Sequence, residues 1–153
     1  MEKVVKRLIE LNKTISTMES CTGGGLANAI TNIPGSSEVF KFGAVTYSNE
    51  YKIKMGVDPD IITKYSVYSA ECADSMSKAI SKFTNSTYGV GITGKLKRED
   101  INNKSGDNDI VYISVYNSKD DSYKTDKIKC IYDTREENKE LVINKIIGLL
   151  EEL

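Results

Sequence analysis

The segment Thr14-Ile-Ser-Thr-Met-Glu-Ser-Cys-Thr-Gly-Gly-Gly25 runs from a short β-branched stretch into a polar, glycine-rich turn, and a helical pattern follows it. A turn between a strand and a helix is a common ligand site in α/β proteins, because backbone N–H groups and a helix N-terminus converge there. This turn also carries a carboxylate, two hydroxyls and a thiol. The segment therefore predicts an α/β fold and indicates where in the chain chemistry is expected.

Strand and helix patterns alternate through the rest of the chain. Apolar residues at helical spacing predict helices, and runs rich in β-branched residues predict strands. The order predicts a mixed sheet flanked by helices, in a single domain over residues 1–153. The predicted strands are 14–18, 39–47, 88–93, 110–116 and 123–132; the predicted helices are 3–11, 23–31, 49–55, 69–83 and one beginning at Asp133, with a helical turn after Asp58 and a long polar loop at 95–109.

The chain has the composition of an ordinary soluble protein. Of its 153 residues 39% are hydrophobic and 28% charged, which is enough to bury a core. Lys and Arg number 21 against 22 Asp and Glu, and this near balance gives no basic surface for nucleic acid or a membrane. No apolar run reaches the length of a membrane span, and the first residues lack the apolar core of a signal peptide. We therefore expect a cytoplasmic protein that binds neither nucleic acid nor membrane.

The chain contains three cysteines and no histidine. The cysteines are widely separated and lack the spacing of metal ligands, which favours reduced thiols. Without histidine, a Ser-His-Asp or Cys-His arrangement is impossible, and the commonest zinc ligand is missing. Any general base must be Lys, Glu, Asp or Tyr. A lysine with a lowered pKa is the natural candidate.

Residues 20–54 contain most of the side chains that could carry out a reaction. A serine hydroxyl is a weak nucleophile and needs a base, which a desolvated lysine can supply while a tyrosine assists the proton transfer. Each residue also has a structural explanation, because Ser and Asn commonly cap helices and form turns, and surface lysines are solvated. The candidates are Ser20, Ser36, Ser37, Tyr47, Asn49, Lys52 and Lys54.

Residues 89–96, Gly-Val-Gly-Ile-Thr-Gly-Lys-Leu, nearly match the phosphate loop G-x-x-x-x-G-K-[ST] after a predicted strand. Leu96 stands where that loop needs a Ser or Thr to bind magnesium, which disfavours a nucleotide-hydrolysing loop. Thr93 and Gly94, at the strand end, are better explained as contacts to a substrate. Arg135, near the start of the last helix, could bind phosphate together with the helix N-terminus, although a lone surface arginine is usually solvated.

Several of these motifs, in this order and at this spacing, resemble the CinA C-terminal domain family, whose members are also called competence/damage-inducible proteins or nicotinamide-nucleotide amidases. The similarity covers nearly the whole chain. It implies a three-layer α/β/α sandwich with a mixed, mostly parallel sheet of about five strands. The motifs are Glu19-Ser-Cys-Thr-Gly-Gly24, Pro34-Gly-Ser-Ser37, Val45-Thr-Tyr-Ser-Asn49, Ser69-Ala-Glu71, Ile92-Thr-Gly94 and Ile110-Val-Tyr-Ile113.

The resemblance also implies an activity: hydrolysis of nicotinamide mononucleotide to nicotinate mononucleotide and ammonia, by a serine–lysine pair, without a metal or cofactor. Carried over by motif, Ser37 would be the nucleophile, Lys52 its base and Tyr47 an assistant, with Ser20 as a second candidate nucleophile. A mononucleotide is the expected partner, and copies of the chain can be expected to associate as a homo-oligomer. The implied substrate contacts are Glu19, Thr22, Gly23, Gly24, Ser36, Asn49, Thr93, Gly94 and Arg135.

One interval differs from the family pattern. Family members usually carry a glycine- and proline-rich loop after the Thr-Gly pair, whereas this chain has the charged segment Lys95–Asp109 with Gly106 as its only glycine. A glycine-rich loop brings backbone donors close to a nucleotide, and bulky side chains prevent the same approach. Three hypotheses follow: an amidase for a pyridine mononucleotide, a nucleotide-binding or regulatory protein with altered or lost catalysis, and an amidase for a different amide.

Overall fold

The computed structural model describes residues 1–153 and contains five strands and six α-helices, near the positions that the sequence predicts. The strands are β1 (Ile15–Glu19), β2 (Phe40–Val45), β3 (Tyr88–Gly94), β4 (Ile110–Asn117) and β5 (Ser122–Lys129). The helices are α1 (Glu2–Glu10), α2 (Gly25–Thr31), α3 (Asn49–Lys54), α4 (Pro59–Tyr65), α5 (Ala70–Thr84) and α6 (Arg135–Glu151).

The strands form one mixed sheet in the order β2-β1-β3-β4-β5. β1 lies between β2 and β3 and pairs with both in parallel, while β4 pairs antiparallel with β3 and with β5. β4 and β5 form the predicted hairpin. Because β1, β2 and β3 run in the same direction, their carboxyl ends meet at one edge of the sheet, as in other parallel α/β sheets.

Helices cover both faces of the sheet, which gives the three layers of an α/β/α sandwich. The larger core joins one face to α1, α2 and α6, with fully buried side chains such as Leu26 and Ile146. The smaller core joins the other face to α5 through Cys72, Met76 and Ile80. Burial of this apolar surface is the main source of the fold's stability.

Two glycines of β3 allow α5 to lie directly on the sheet. A Cβ atom at Gly89 would lie 1.9 Å from the carbonyl oxygen of Ser77, and one at Gly91 would lie 2.2 Å from that of Ala73. No side chain fits at such distances, so these glycines are needed for the close approach of helix and strand. They lie inside a buried strand, so the near match to a phosphate loop is explained by the packing of helix against strand.

Local structure differs from the sequence predictions at several element ends, and β5, for example, ends at Lys129 rather than at Tyr132. Residues Ser36–Glu38 form a short 3-10 helix that the sequence did not predict. The last helix begins at Arg135 rather than Asp133, because the Thr134 hydroxyl accepts a hydrogen bond from the Glu137 N–H at 3.2 Å and caps the helix there. None of the helices has the length and apolar character that crossing a membrane requires.

Candidate active site

A cavity of about 570 Å³ opens beyond the carboxyl ends of β1, β2 and β3. In open α/β sheets this edge is the usual place for a ligand. One part of the cavity is lined by residues that follow these strands, and the rest by Tyr68, the loop 95–109 and the start of α6. Lining residues include Ser20, Tyr47, Asn49, Gly94, Asp100 and Arg135.

Ser20 and Lys52 are in contact at this cavity. Lys52 Nζ lies 3.1 Å from the Ser20 hydroxyl oxygen and donates a second hydrogen bond to the Thr46 carbonyl at 2.7 Å. Lys52 is only 1% exposed, whereas Ser20 lines the cavity. A hydroxyl that a ligand can reach is therefore paired with a buried amine, which is the arrangement that a nucleophile and its base require.

Short connections after β1 and β2 bring these two side chains together. The two strands are adjacent and parallel, and beyond them the Thr46 N–H still donates to the Glu19 carbonyl at 2.8 Å. The Ser48 hydroxyl then caps α3 by accepting from the Tyr51 N–H at 3.4 Å. The first turn of α3 thereby carries Lys52 back to the end of β1.

Burial lowers the pKa of Lys52 below its usual value, because the charged ammonium is poorly solvated there. The negative charge of the neighbouring Asp100 opposes this effect but does not outweigh it. A lysine of this kind can hold a neutral amine and accept a proton. Cys21 is a poor competitor for the role of nucleophile, since burial raises the pKa of its thiol to about 12 and keeps it protonated.

The turn that carries Ser20 is organised around the Glu19 carboxylate, which is 1% exposed. Glu19 Oε2 accepts from the Thr22 hydroxyl at 2.6 Å and from the Leu26 N–H at 3.1 Å, and Oε1 accepts from the Ala27 N–H at 2.8 Å. The last two donors belong to the first turn of α2, where a negative charge is favourable. Glu19 therefore fixes the turn to the helix.

Four other predicted substrate contacts also lie behind the cavity rather than along it. Thr22 is buried against Glu19, and Thr93 is fully buried with its hydroxyl donating to the Val67 carbonyl at 2.8 Å. Gly23 and Gly24 have φ angles of 63° and 93°, in the left-handed region that favours glycine. These residues shape the turn and the strand end, and none of them is among the cavity's lining residues.

Tyr47, Asn49 and Arg135 lie at the cavity, as their predicted roles require. Tyr47 is 66% exposed, and its hydroxyl accepts a hydrogen bond from Arg135 Nη2 at 3.3 Å. Arg135 is the first residue of α6, so its guanidinium and the helix N-terminus together offer a site for an anion. No three His, Cys, Asp or Glu side chains converge to hold a metal ion.

The structure does not bring Ser36 or Ser37 to this site. Both lie in the short 3-10 helix before β2, whereas Lys52 follows β2, so the length of that strand separates Ser37 from Lys52. Ser37 is exposed, and its carbonyl accepts from Lys41 Nζ at 2.7 Å. The predicted pairing of Ser37 with Lys52 is therefore not formed, and the serine in contact with the lysine is Ser20.

The sequence model of the family described as the CinA C-terminal domain matches residues 1–153 of this chain. The chain belongs to the CinA C-terminal domain family. A putative competence-damage inducible protein from Clostridium novyi is 37% identical over 155 residues, covering 100% of this chain and 37% of the relative. One from Clostridium perfringens strain SM101 is 48% identical over 96 residues, covering 61% of this chain and 23% of the relative. The chain thus spans little more than a third of the length of the curated relatives it matches.

Solved structures of CinA proteins share this fold. A CinA superfamily protein from Klebsiella pneumoniae superposes with a TM-score of 0.88 at 22% identity, covering 99% of this chain and 92% of that one. The competence/damage inducible protein CihA from Agrobacterium tumefaciens gives a TM-score of 0.83 at 26% identity, covering 97% and 92%. The α/β/α sandwich that the resemblance implied is confirmed.

This member of the CinA C-terminal domain family closes its cavity with side chains that sequence reasoning did not identify. Asp100, in the loop 95–109, accepts hydrogen bonds from the Tyr68 hydroxyl and, at 3.0 Å, from the Asn103 amide. Asn103 in turn accepts from the Asn49 amide at 2.8 Å, which ties the loop to α3. The only sequence signal was negative, namely charged residues where the family pattern has glycines.

Proposed function

We propose that this chain is an amidohydrolase that acts on nicotinamide mononucleotide, with Ser20 as the nucleophile and Lys52 as its base. The observation that carries the proposal is the 3.1 Å contact between the Ser20 hydroxyl and the buried Lys52 amine. The activity is the one implied by the resemblance to nicotinamide-nucleotide amidases. The choice of Ser20 over Ser37 is supported by the contact of Ser20 with the lysine, which Ser37 does not make.

The reaction would begin when the neutral Lys52 amine takes the proton of the Ser20 hydroxyl. The serine oxygen attacks the carboxamide carbon, and the C=O bond opens to an oxyanion. The backbone N–H of Cys21 follows the nucleophile directly and is suited to stabilise that oxyanion, since the hydrogen bonds of the turn occupy the N–H groups of Gly23 and Gly25 instead. Fixed donors of this kind stabilise charge only as it develops.

Lys52 then returns its proton to the amide nitrogen, the C–N bond breaks and ammonia leaves. This leaves an ester between Ser20 and the acyl group. Water attacks that ester, Lys52 accepts a proton from the water, and the serine oxygen departs with a proton to give the free acid. A single amine can serve both steps because a lowered pKa makes its neutral form more available as a base, and its protonated form a better acid, than in an ordinary lysine.

The other end of the substrate would bind at Arg135. Its guanidinium and the N-terminus of α6 can both interact with a phosphate, and the Tyr47 hydroxyl holds the arginine side chain at the cavity. Binding at a distance from the reacting carbon orients the carboxamide toward Ser20. Orientation of this kind lowers the barrier because less freedom is lost in the transition state.

Ammonia release from nicotinamide mononucleotide tests the proposal. We expect release by the wild-type protein, a loss of about a thousandfold or more in Ser20→Ala, and near wild-type rates in Ser37→Ala, which keeps every contact at the cavity. Thermal unfolding of both variants checks that each is folded. No release by concentrated wild-type protein, or release that survives in Ser20→Ala but not in Ser37→Ala, would overturn the proposal.

A second candidate is a nucleotide-binding or regulatory protein without amidase activity, and the charged loop 95–109 is the observation that favours it. Its side chains occupy the wall where the family pattern has glycines. A thermal-shift titration with nicotinamide mononucleotide distinguishes the two, because a ligand specific for the folded state raises the unfolding temperature. Stabilisation without ammonia release would favour this candidate.

A further inference from the structure

The loop 95–109 places a negative charge in the cavity wall and holds it in a defined position. Asp100 Oδ2 accepts from the Tyr68 hydroxyl and from Asn103 Nδ2, while Oδ1 accepts from the Asn102 N–H at 2.9 Å. The Tyr68 hydrogen bond is the main cause that keeps the pKa of Asp100 below its usual range. The carboxylate is therefore ionised at physiological pH, and its orientation is fixed from three directions.

No cation of the protein forms an ion pair with this carboxylate. None of the six ion pairs in the structure includes Asp100. The nearby cations are engaged elsewhere: Lys95 Nζ donates to Asn108 at 3.1 Å, and Arg135 donates to Tyr47. Lys52 donates to Ser20 and Thr46, as described above. Arg98 and Glu99, which also line the cavity, are exposed and opposite in charge.

Asp100 has little capacity left for hydrogen bonds to a ligand. A carboxylate offers about four acceptor positions, and the three donors of Tyr68, Asn102 and Asn103 already occupy three. What it retains is its charge, acting in a partly enclosed cavity where the field is less screened than in water. Such a charge attracts a cation even when that cation carries no N–H group of its own.

The pyridinium ring of a nicotinamide nucleotide is a cation of this kind, because its ring nitrogen is fully substituted. Aromatic rings and fixed carboxylates are the groups that recognise such cations. The cavity has both, since Tyr47 is exposed beside it and Asp100 lies in its wall, while the Tyr68 ring already carries Lys95 Nζ at 4.9 Å from its centroid. Arg135 on the same cavity suits the opposite charge of a phosphate.

We propose that Asp100 is a specificity-determining residue that selects ligands whose ring carries a permanent positive charge. This inference rests on the proposed function for the class of ligand. It predicts that the protein distinguishes nicotinamide mononucleotide from its dihydro form, which has the same ribose, phosphate and carboxamide but a neutral ring. The product, nicotinate mononucleotide, differs from the substrate by a negative carboxylate on the ring. Asp100 repels this carboxylate, and the repulsion favours product release.

The test measures how three variants of the protein act on nicotinamide mononucleotide and on its dihydro form at mildly alkaline pH. Asp100→Asn removes the charge and keeps the shape. Tyr68→Phe removes the hydrogen bond that holds the loop but keeps the charge, and Glu99→Gln removes a neighbouring exposed charge. Because the two carboxamides differ in intrinsic reactivity, the kcat/KM of each variant is compared with that of the wild type on the same substrate. Binding is measured separately, by equilibrium titration of each variant in combination with Ser20→Ala, which prevents turnover.

We expect Asp100→Asn to weaken binding and kcat/KM for the cationic form by about tenfold and to leave the dihydro form within about threefold. Tyr68→Phe and Glu99→Gln should keep the preference for the cation. Equal effects of Asp100→Asn on both forms would overturn the inference while amidase activity persists. Cation-selective binding that depends on Asp100, without ammonia release, would support it and overturn the proposed function instead.

Discussion

The two walls of the cavity are built in different ways. The turn wall, which comprises residues 19–24 and 46–52, is made of the ends of parallel strands and the starts of helices, and its key polar groups are buried with hydrogen bonds to backbone. The loop wall, residues 95–109, has no regular secondary structure, and many of its hydrogen bonds join one side chain to another. The turn wall holds the proposed reactive groups, Ser20 and Lys52, and the loop wall holds the carboxylate of Asp100.

This difference indicates which part of the site can vary without loss of the fold. A change in the turn wall leaves buried donors or acceptors without partners, and such groups cost stability. A change in the loop wall exposes side chains to water, which can replace most of the lost hydrogen bonds. We therefore expect chemistry to depend on the turn wall and ligand preference to depend on the loop wall, as is common where loops lie on a rigid scaffold.

The largest effect is expected for Lys52→Met, which removes the base from the turn wall but keeps an unbranched apolar side chain of similar length. Ammonia release should fall by about a thousandfold or more, because Ser20 then has no group to accept its proton. The matched control is Lys54→Met, since Lys54 is exposed and pairs with Glu50 on the same helix. A Lys52→Met protein that keeps a tenth of the wild-type rate would exclude Lys52 as the base.

Glu19→Gln tests the support of the turn wall through stability. The amide cannot accept from all three donors, and its own N–H₂ group would face the N-terminus of α2, so we expect the free energy of unfolding to fall by about 2–3 kcal/mol. Denaturant titration measures it. Glu38→Gln, at an exposed glutamate of the 3-10 helix, serves as the control and should change stability by less than about 0.5 kcal/mol. Equal stabilities of the two variants would contradict the role given to Glu19.

We expect kcat/KM to rise with pH and to level off above a midpoint that lies below the usual pKa of lysine. Burial lowers the pKa of Lys52, the neutral amine is the active form, and its fraction falls about tenfold per pH unit below the midpoint. Initial rates of ammonia release across a pH series measure this profile. A rate that increases toward acid pH would contradict the assignment of Lys52 as a base.

The smallest effect is expected for Asn103→Ala, which cuts the link between the loop wall and Asn49. The loop should become looser, raising KM by about threefold to fivefold with kcat almost unchanged, because no group near the scissile bond is altered. Asn102→Ala is the control, since only its backbone N–H contributes to the loop. A lowered kcat without a change in KM would show that the loop wall takes part in chemistry.

The sequence was sufficient to predict the fold, because its strands and helices follow clear apolar periods and Asp58 marks where a helical turn begins. It also identified Lys52, Tyr47 and Arg135. It placed Ser37 ahead of Ser20 as the nucleophile, whereas Ser20 is the serine in contact with Lys52, because Ser37 precedes β2 and Lys52 follows it. No local pattern shows the bond from Leu26 to Glu19, which spans 7 residues of chain, or the bond from Tyr68 to Asp100, which spans 32.

The covalent intermediate tests the central claim most directly. The reaction with nicotinamide mononucleotide can be stopped with acid during turnover. The protein is then digested and its peptides are examined by mass spectrometry, with Lys52→Met as the unreactive control. We expect an ester-linked nicotinate mononucleotide on the peptide that contains Ser20 and on no other. The same group on the peptide that contains Ser37, or on Cys21 rather than Ser20 within its peptide, would contradict the assignment of Ser20 as the nucleophile.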